Sequence, residues 1–340
     1  MHSIVSIRFN MNTEGIHRKL IVSILKRASA WLTLHLHYFH PQTALRMRLD
    51  PPHKPFVELV FLCIEWERLL TERKNRDRGL HSPLEKIIAF TNNLIKTYDV
   101  PGIFWHDPEA LPAFMLLPRF ASLVGLSPNK FSTELNSLIT EGYGLIMERL
   151  PFRCLDLRYN ADHAMNNIGD IPSLVQLYPY TVVAQRPPIS YLYWNDLYAI
   201  THTIFYVTDM GHCPIEQTIA SFDAEYLRWL VQTVMGMMLW KGDLDIVAEC
   251  LMCARFLNCT WNYIIESAWE SIAKRQRGSG VIPGPTFNEK DANSLDGKEL
   301  SEYEFVHGYH TTLVTILAAL PWLQEKVELQ GRRGVGNADG

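Results

Sequence analysis

Apolar residues recur at intervals of three and four along most of this chain, the spacing of a helix face turned toward a core. Leu20, Ile24, Ala28, Trp31 and Leu34 set the pattern from Ile16 to Tyr38, and Pro41 forbids its continuation. The same period predicts helices over Phe56 to Leu70, Ser82 to Lys96, Glu109 to Leu123 and Pro128 to Leu150. It returns over Phe222 to Trp240, Leu244 to Phe256, Trp261 to Arg277 and Glu302 to Leu320. Ser127 and Asp243 stand where N-caps belong, and Gly242 stands where a helix stops. Residues 151–193, broken by Pro151, Pro172, Pro179 and Pro187-Pro188, form the least regular part: a short helix, then a long aromatic connection. No run alternates in the way of a strand, so the pattern predicts an all-α chain of roughly eleven or twelve helices.

One further stretch, Asn195 to His212, organises the functional reading. A polar start, an apolar middle and a glycine stop predict a helix of about four turns. Tyr198, His202, Phe205, Tyr206 and Asp209 fall on one face at helical spacing, while Ile200, Ile204 and Val207 take other sectors. A helix covered on both sides must satisfy a His, two Tyr and an Asp internally. A network, a metal or a polar pocket would do so. His–Asp or His–Tyr pairing is what a general acid or base requires.

Composition narrows the class. The chain has 340 residues, 47% hydrophobic and 20% charged, with a formal net charge of −4. That balance supports a large core and argues against a nucleic-acid surface. No apolar run is long enough to span a bilayer: the richest, Thr311 to Trp322, is short and contains Pro321. Six irregularly spaced cysteines fit reduced thiols in a cytoplasm. Cys250-x-x-Cys253 and Cys259 lie in an apolar setting and read as small buried thiols. Asp243 and Asp245 read as turn and N-cap residues. His35, His37 and His40 read as a helix terminus. Phosphate-binding glycine loops, H-E-x-x-H and G-x-S-x-G are all missing. His307 and His310 are neighbours three apart. Such a pair is first of all hydrogen-bonded core or surface. The other reading is a divalent metal such as zinc, with Asp209, His202 or His212 as third ligand.

Two resemblances follow from these motifs. The run from Ala268-Trp269 through Gln276 to Gly278-Ser279-Gly280 resembles the helix-to-turn repeat of the α-toroid terpenoid cyclases and protein prenyltransferases. Lys241-Gly242-Asp243-Leu244-Asp245 resembles their inner-to-outer turns. Tyr309-His310-Thr311 resembles the prenyltransferase Y-H-T run, which implies a zinc-ligand role for His310. The chain departs from that family in having no D-x-C and no D-x-D-D motif. The whole chain also resembles an uncharacterised bacterial all-helical family with W-L-x-x-H-L at Trp31 to Leu36, the central Y-A-x-T-H motif, and the Y-H-T-T-L-V ending. That resemblance implies specialised metabolism and no particular reaction.

The expectation is an α/α toroid-like stack of helical hairpins over 16–329, with a loose lead-in at 1–15 and a disordered tail at 330–340. The function expected is acid–base, metal-assisted or metal-free, on a small-molecule or peptide-derived substrate in an apolar pocket. His202, Tyr206, Asp209 and His310 are the candidate catalytic residues. Tyr198, Phe205, Trp194, Tyr309 and His307 are the candidate substrate contacts. In this scheme Asp209 orients His202. A non-catalytic helical scaffold for a peptide or partner protein is the competing expectation, and the sequence leaves oligomeric state open.

Overall fold

The computed structural model describes residues 2–71, 78–97, 110–127, 129–142, 148–164, 171–219 and 221–324. The Trp105-His106-Asp107 loop, Asn166-Asn167 and the 330–340 tail lie outside the described residues. Within them the chain is helical, and no strand occurs. Eleven helices of eight residues or more order the described chain. They are α1 (His2–Leu34), α2 (Lys54–Thr71), α3 (Arg78–Thr97), α4 (Leu116–Leu123), α5 (Asn129–Thr140) and α6 (Pro151–Ala164). Then follow α7 (Trp194–Val207), α8 (Ser221–Lys241), α9 (Leu244–Phe256), α10 (Tyr263–Arg275) and α11 (Gly297–Trp322).

Six of these helices contact one another in a closed series. In chain order α2, α4, α6, α7, α9 and α11 each pack against the next, and α11 packs back against α2. The remaining helices cover them from outside. α3 lies on α2, α5 on α4, α8 on α9, and α10 on both α8 and α9. Two short helices, Leu174–Leu177 and Val182–Gln185, cover α6 and α7 respectively. The first helix, α1, fills the outer position among α3, α10 and α11.

Local chemistry sets these elements. Asp243 caps α9, its carboxylate accepting from the backbone N–H groups of Asp245 at 3.1 Å and Ile246 at 3.3 Å. Asn262 does the same for α10, accepting from Ile264 and Ile265. The end of α1 carries the W-L-x-x-H-L motif. There Trp31 is fully buried, stacked on His35 at 4.6 Å, and the His35 ring bonds the Trp31 carbonyl at 2.7 Å. That bond is the helix-terminus role expected of His35, whereas His40 accepts from the Gln42 N–H and caps the start of the next short helix. α11 is buried on all sides from Thr311 to Pro321, as a helix between α1, α2 and α9 must be.

Several boundaries differ from those the pattern predicts. α1 starts at His2, not Ile16, and α11 starts at Gly297, five residues before Glu302. The helix placed over Pro128 to Leu150 ends at Thr140, and a new one begins at Pro151. That new helix, α6, is the short one expected at the start of residues 151–193, and Pro151 opens it, because proline at the first helical position lacks only an N–H that needs no intrahelical partner. Asn195 to His212 is helical only to Val207; Asp209, Met210 and Gly211 follow with φ of +48°, +53° and +85°. Gly211 is required there twice over. Its φ is left-handed, and a Cβ would lie 2.3 Å from the Phe256 ring.

Candidate functional site

The face of α9 turned to the interior carries Asp245 and Glu249, one turn apart and each only 2% exposed. Burial at that level demands partners for every carboxylate oxygen. Asp245 accepts from the Tyr198 hydroxyl at 2.7 Å and from the Thr311 hydroxyl at 2.8 Å. Glu249 accepts from the Thr201 hydroxyl and stands 3.7 Å from Nε2 of His202. The two carboxylates therefore draw α7, α9 and α11 together through hydroxyl donors.

His310 sits between two acids. Its Nδ1 is 3.0 Å from Glu58 Oε2 and its Nε2 is 3.6 Å from Asp245 Oδ2. Burial by itself would lower the His310 pKa, but the charges of Glu58 and Asp245 outweigh it and raise the value to about 9. Burial likewise pushes the Glu58 carboxyl up. The His310 and Lys54 charges, with hydrogen bonds from His310 and Tyr309, reverse that and hold it below its ordinary range. The imidazolium and the Glu58 carboxylate thus keep each other ionised.

A cavity of about 880 Å³ opens beside this cluster. Glu58, His202, Glu249 and His310 line its polar part, and Lys54, Arg153 and Asp156 also line the cavity. Phe61, Leu116, Phe205, Met252, Leu313 and Leu317 line the apolar part. Among the described residues, Asp245, Glu249 and His310 form a group whose potential ligand atoms all lie within 4.8 Å of one another.

The structure brings some of the expected residues together and separates others. His202, Phe205, Tyr206 and His310 all line the cavity. Tyr206 donates to Asp156; burial first, then the Asp156 charge, keeps its hydroxyl protonated far above the usual range. Tyr198 reaches the site through its hydrogen bond to Asp245. Tyr309 is buried behind the wall, stacked on Phe305 and hydrogen-bonded to Glu58. Trp194 is 54% exposed and lines a separate hollow of about 250 Å³ with Met237, Met238 and Asp243. His307 turns away, bonding the Thr286 hydroxyl at 2.9 Å and lying tilted against the Tyr303 ring. Residues three apart differ by about 60° around a helix, enough to send His307 outward while His310 points in.

Asp209 does not orient His202. Arg68 grips it at two points, 2.9 and 2.5 Å, and the Tyr159 hydroxyl donates to it at 2.9 Å. His163 lies 3.3 Å away, on the same side. The left-handed turn after Val207 breaks the helical phase, so the stripe counted from His202 no longer applies at Asp209. Glu249 takes the place beside His202 instead. The reading of Asp245 as a cap also fails: Asp243 is the cap, and Asp245 points inward. Asp245, Glu249 and Glu58 were the residues missed. The available signal was a carboxylate pair four apart in an otherwise apolar helix, Leu244 to Leu251.

A family described as a domain of unknown function (DUF6895) matches residues 25–320. Neither a curated protein nor a solved structure matches the chain. Because the family match spans most of the length, the chain belongs to the DUF6895 family.

Proposed function

We propose that this protein is an enzyme performing acid–base chemistry on a small, largely apolar substrate held in the central cavity. One observation carries the reading: His202 and His310, from helices far apart in sequence, line the same hollow, each beside buried carboxylates. Apolar walls with a few converging polar groups are what small-molecule sites present. Nδ1 of His202 is buried without a partner, and Nε2 stands beside Glu249. An imidazole so loosely tied can exchange a proton with a substrate. The positive centre between Glu58 and Asp245 polarises the substrate group from which the proton leaves.

The finer architecture belongs to the same proposal. Inner helices that follow one another in chain order, each backed by an outer element, support an α/α toroid. The six cysteines are unpaired, which supports a cytoplasmic setting. Among the described residues no helix is long and apolar enough to cross a membrane. A non-catalytic scaffold would need no cavity beside the two histidines, so the hollow favours the enzyme.

The test is comparative metabolite consumption. Purified wild-type protein and His202→Gln, of matched helical content, are incubated with a complex metabolite extract. We expect the wild type to deplete at least one compound that the variant leaves intact. Identical profiles overturn the assignment.

A further inference from the structure

We propose that Asp245, Glu249 and His310 form the binding site for one divalent transition-metal cation of the zinc or manganese kind. The site lies within the cavity assigned above to catalysis, but the binding itself does not depend on that assignment. One carboxylate oxygen from each acid and one imidazole nitrogen converge within 4.8 Å of one another, from α9 and α11. Asp245 Oδ2 and His310 Nε2 are 3.6 Å apart. Ligand atoms around a tetrahedral zinc, at bonds of 2.0–2.2 Å, stand ~3.4 Å apart. Small side-chain rotations therefore suffice to close the shell.

Charge gives a second, independent argument. Asp245, Glu249 and Glu58 bring three carboxylates to one wall. The basic groups beside them are His310, His202, 3.7 Å from Glu249, and the half-exposed Lys54, 3.7 Å from Glu58. The partners of Asp245 and Glu249 within hydrogen-bond distance are hydroxyls, from Tyr198, Thr311 and Thr201. Buried carboxylates without a full counter-charge are paired or coordinate metals. Those hydroxyls also have the place of groups that orient ligands from behind. Glu58 has the same relation to His310: it bonds Nδ1 and leaves Nε2 toward Asp245. That arrangement fixes which imidazole nitrogen faces the cation.

The chemistry of the donors selects the metal. Two carboxylates favour hard cations and the imidazole favours zinc and its neighbours, so the mixed set suits a borderline dication. Cys250 and Cys253 share α9 but lie outside the ligand group, which removes the soft thiolates. His202, 3.7 Å from Glu249, and the cavity beyond leave room for a water or substrate oxygen on the metal. When the cation is bound, it takes the position of the His310 proton, so the positive centre of the proposed chemistry is retained.

The experiment uses full-length protein stripped with a chelator, then titrated separately with Zn²⁺, Mn²⁺ and the spectroscopic substitute Co²⁺. We expect one equivalent per chain to survive dialysis, and visible Co²⁺ bands typical of a low-coordinate N/O site. Glu249→Gln and Asp245→Asn should each weaken binding more than about tenfold, with unchanged circular dichroism. His307→Ala, which alters the neighbouring imidazole that faces Thr286, should bind as the wild type does. Substoichiometric metal in the wild type overturns the site, as does full binding by Glu249→Gln, should Asp245→Asn fail to fold. A chain without metal that still shows the His202-dependent consumption loses only this inference. A metal-binding chain with no such consumption loses only the enzymatic reading.

Discussion

Glu58 Oε2 and His310 Nδ1 meet at 3.0 Å across 252 residues of sequence, joining α2 to α11. Both groups are ionised by each other's presence, so replacing either leaves a charge without its nearest partner. Glu58→Gln should lower stability by about 1.5–3 kcal/mol, the range for hydrogen bonds to charged groups. Denaturant unfolding followed by circular dichroism measures it. An unchanged midpoint would show that the pair contributes nothing to holding α2 against α11.

Asp209 predicts a dependence on acid. The bonds from Arg68, His163 and Tyr159 outweigh burial and hold its carboxyl well below the ordinary 3.8. A depressed acid contributes stability that is complete above the unfolded value and disappears as pH falls through the native one. The wild type should therefore lose stability below about pH 4. Asp209→Asn should be weaker at neutral pH by about 1–2 kcal/mol, a figure discounted for the partly exposed position, and should show a flatter acid limb. Thermal melts between neutral pH and acid resolve the two limbs.

Gly211 offers a purely steric test. Alanine there meets both a φ of +85° and a Cβ 2.3 Å from the Phe256 ring. Gly211→Ala should cost about 1–3 kcal/mol. The cost should fall when Phe256→Leu is added, because a smaller side chain relieves the contact but not the dihedral. Additive losses in the double variant would place the strain entirely in the backbone.

Trp31 is fully buried between His35 and Phe305. Trp31→Ala should cost about 3–5 kcal/mol, the range for deleting a large core aromatic. Since Trp31 lies outside the cavity lining, any metal bound by the folded fraction should be bound with wild-type affinity. Equilibrium dialysis under native conditions checks this.

Helicity was legible because the apolar period of α2, α8, α9 and α10 is written locally. His202 was legible for a similar reason: a polar stripe on an apolar helix stands out without knowledge of its surroundings. The rest of the cluster was not. Asp245 follows Gly242 and Asp243, where capping chemistry is the expected use of a carboxylate, and an offset of two residues from the cap turns it inward. Glu58 stands inside an apolar run, where only the fold shows that His310 lies opposite. Asp209 was misplaced because two consecutive non-glycine residues with positive φ end the helix sooner than Gly211 suggested. Distances between elements 65 or 252 residues apart are set by tertiary packing, which a local period does not encode.

Because the inner helices are laid down in chain order and α11 comes last, the polar wall is finished only when that helix docks. A fragment ending before Gly297 would lack His310 and leave Glu58 and Asp245 without the imidazole that stands between them. Such a fragment would hold mutually repelling acids along an unsealed seam. Docking of α11 thus also turns the contact between Glu58 and Asp245 from repulsive to cohesive.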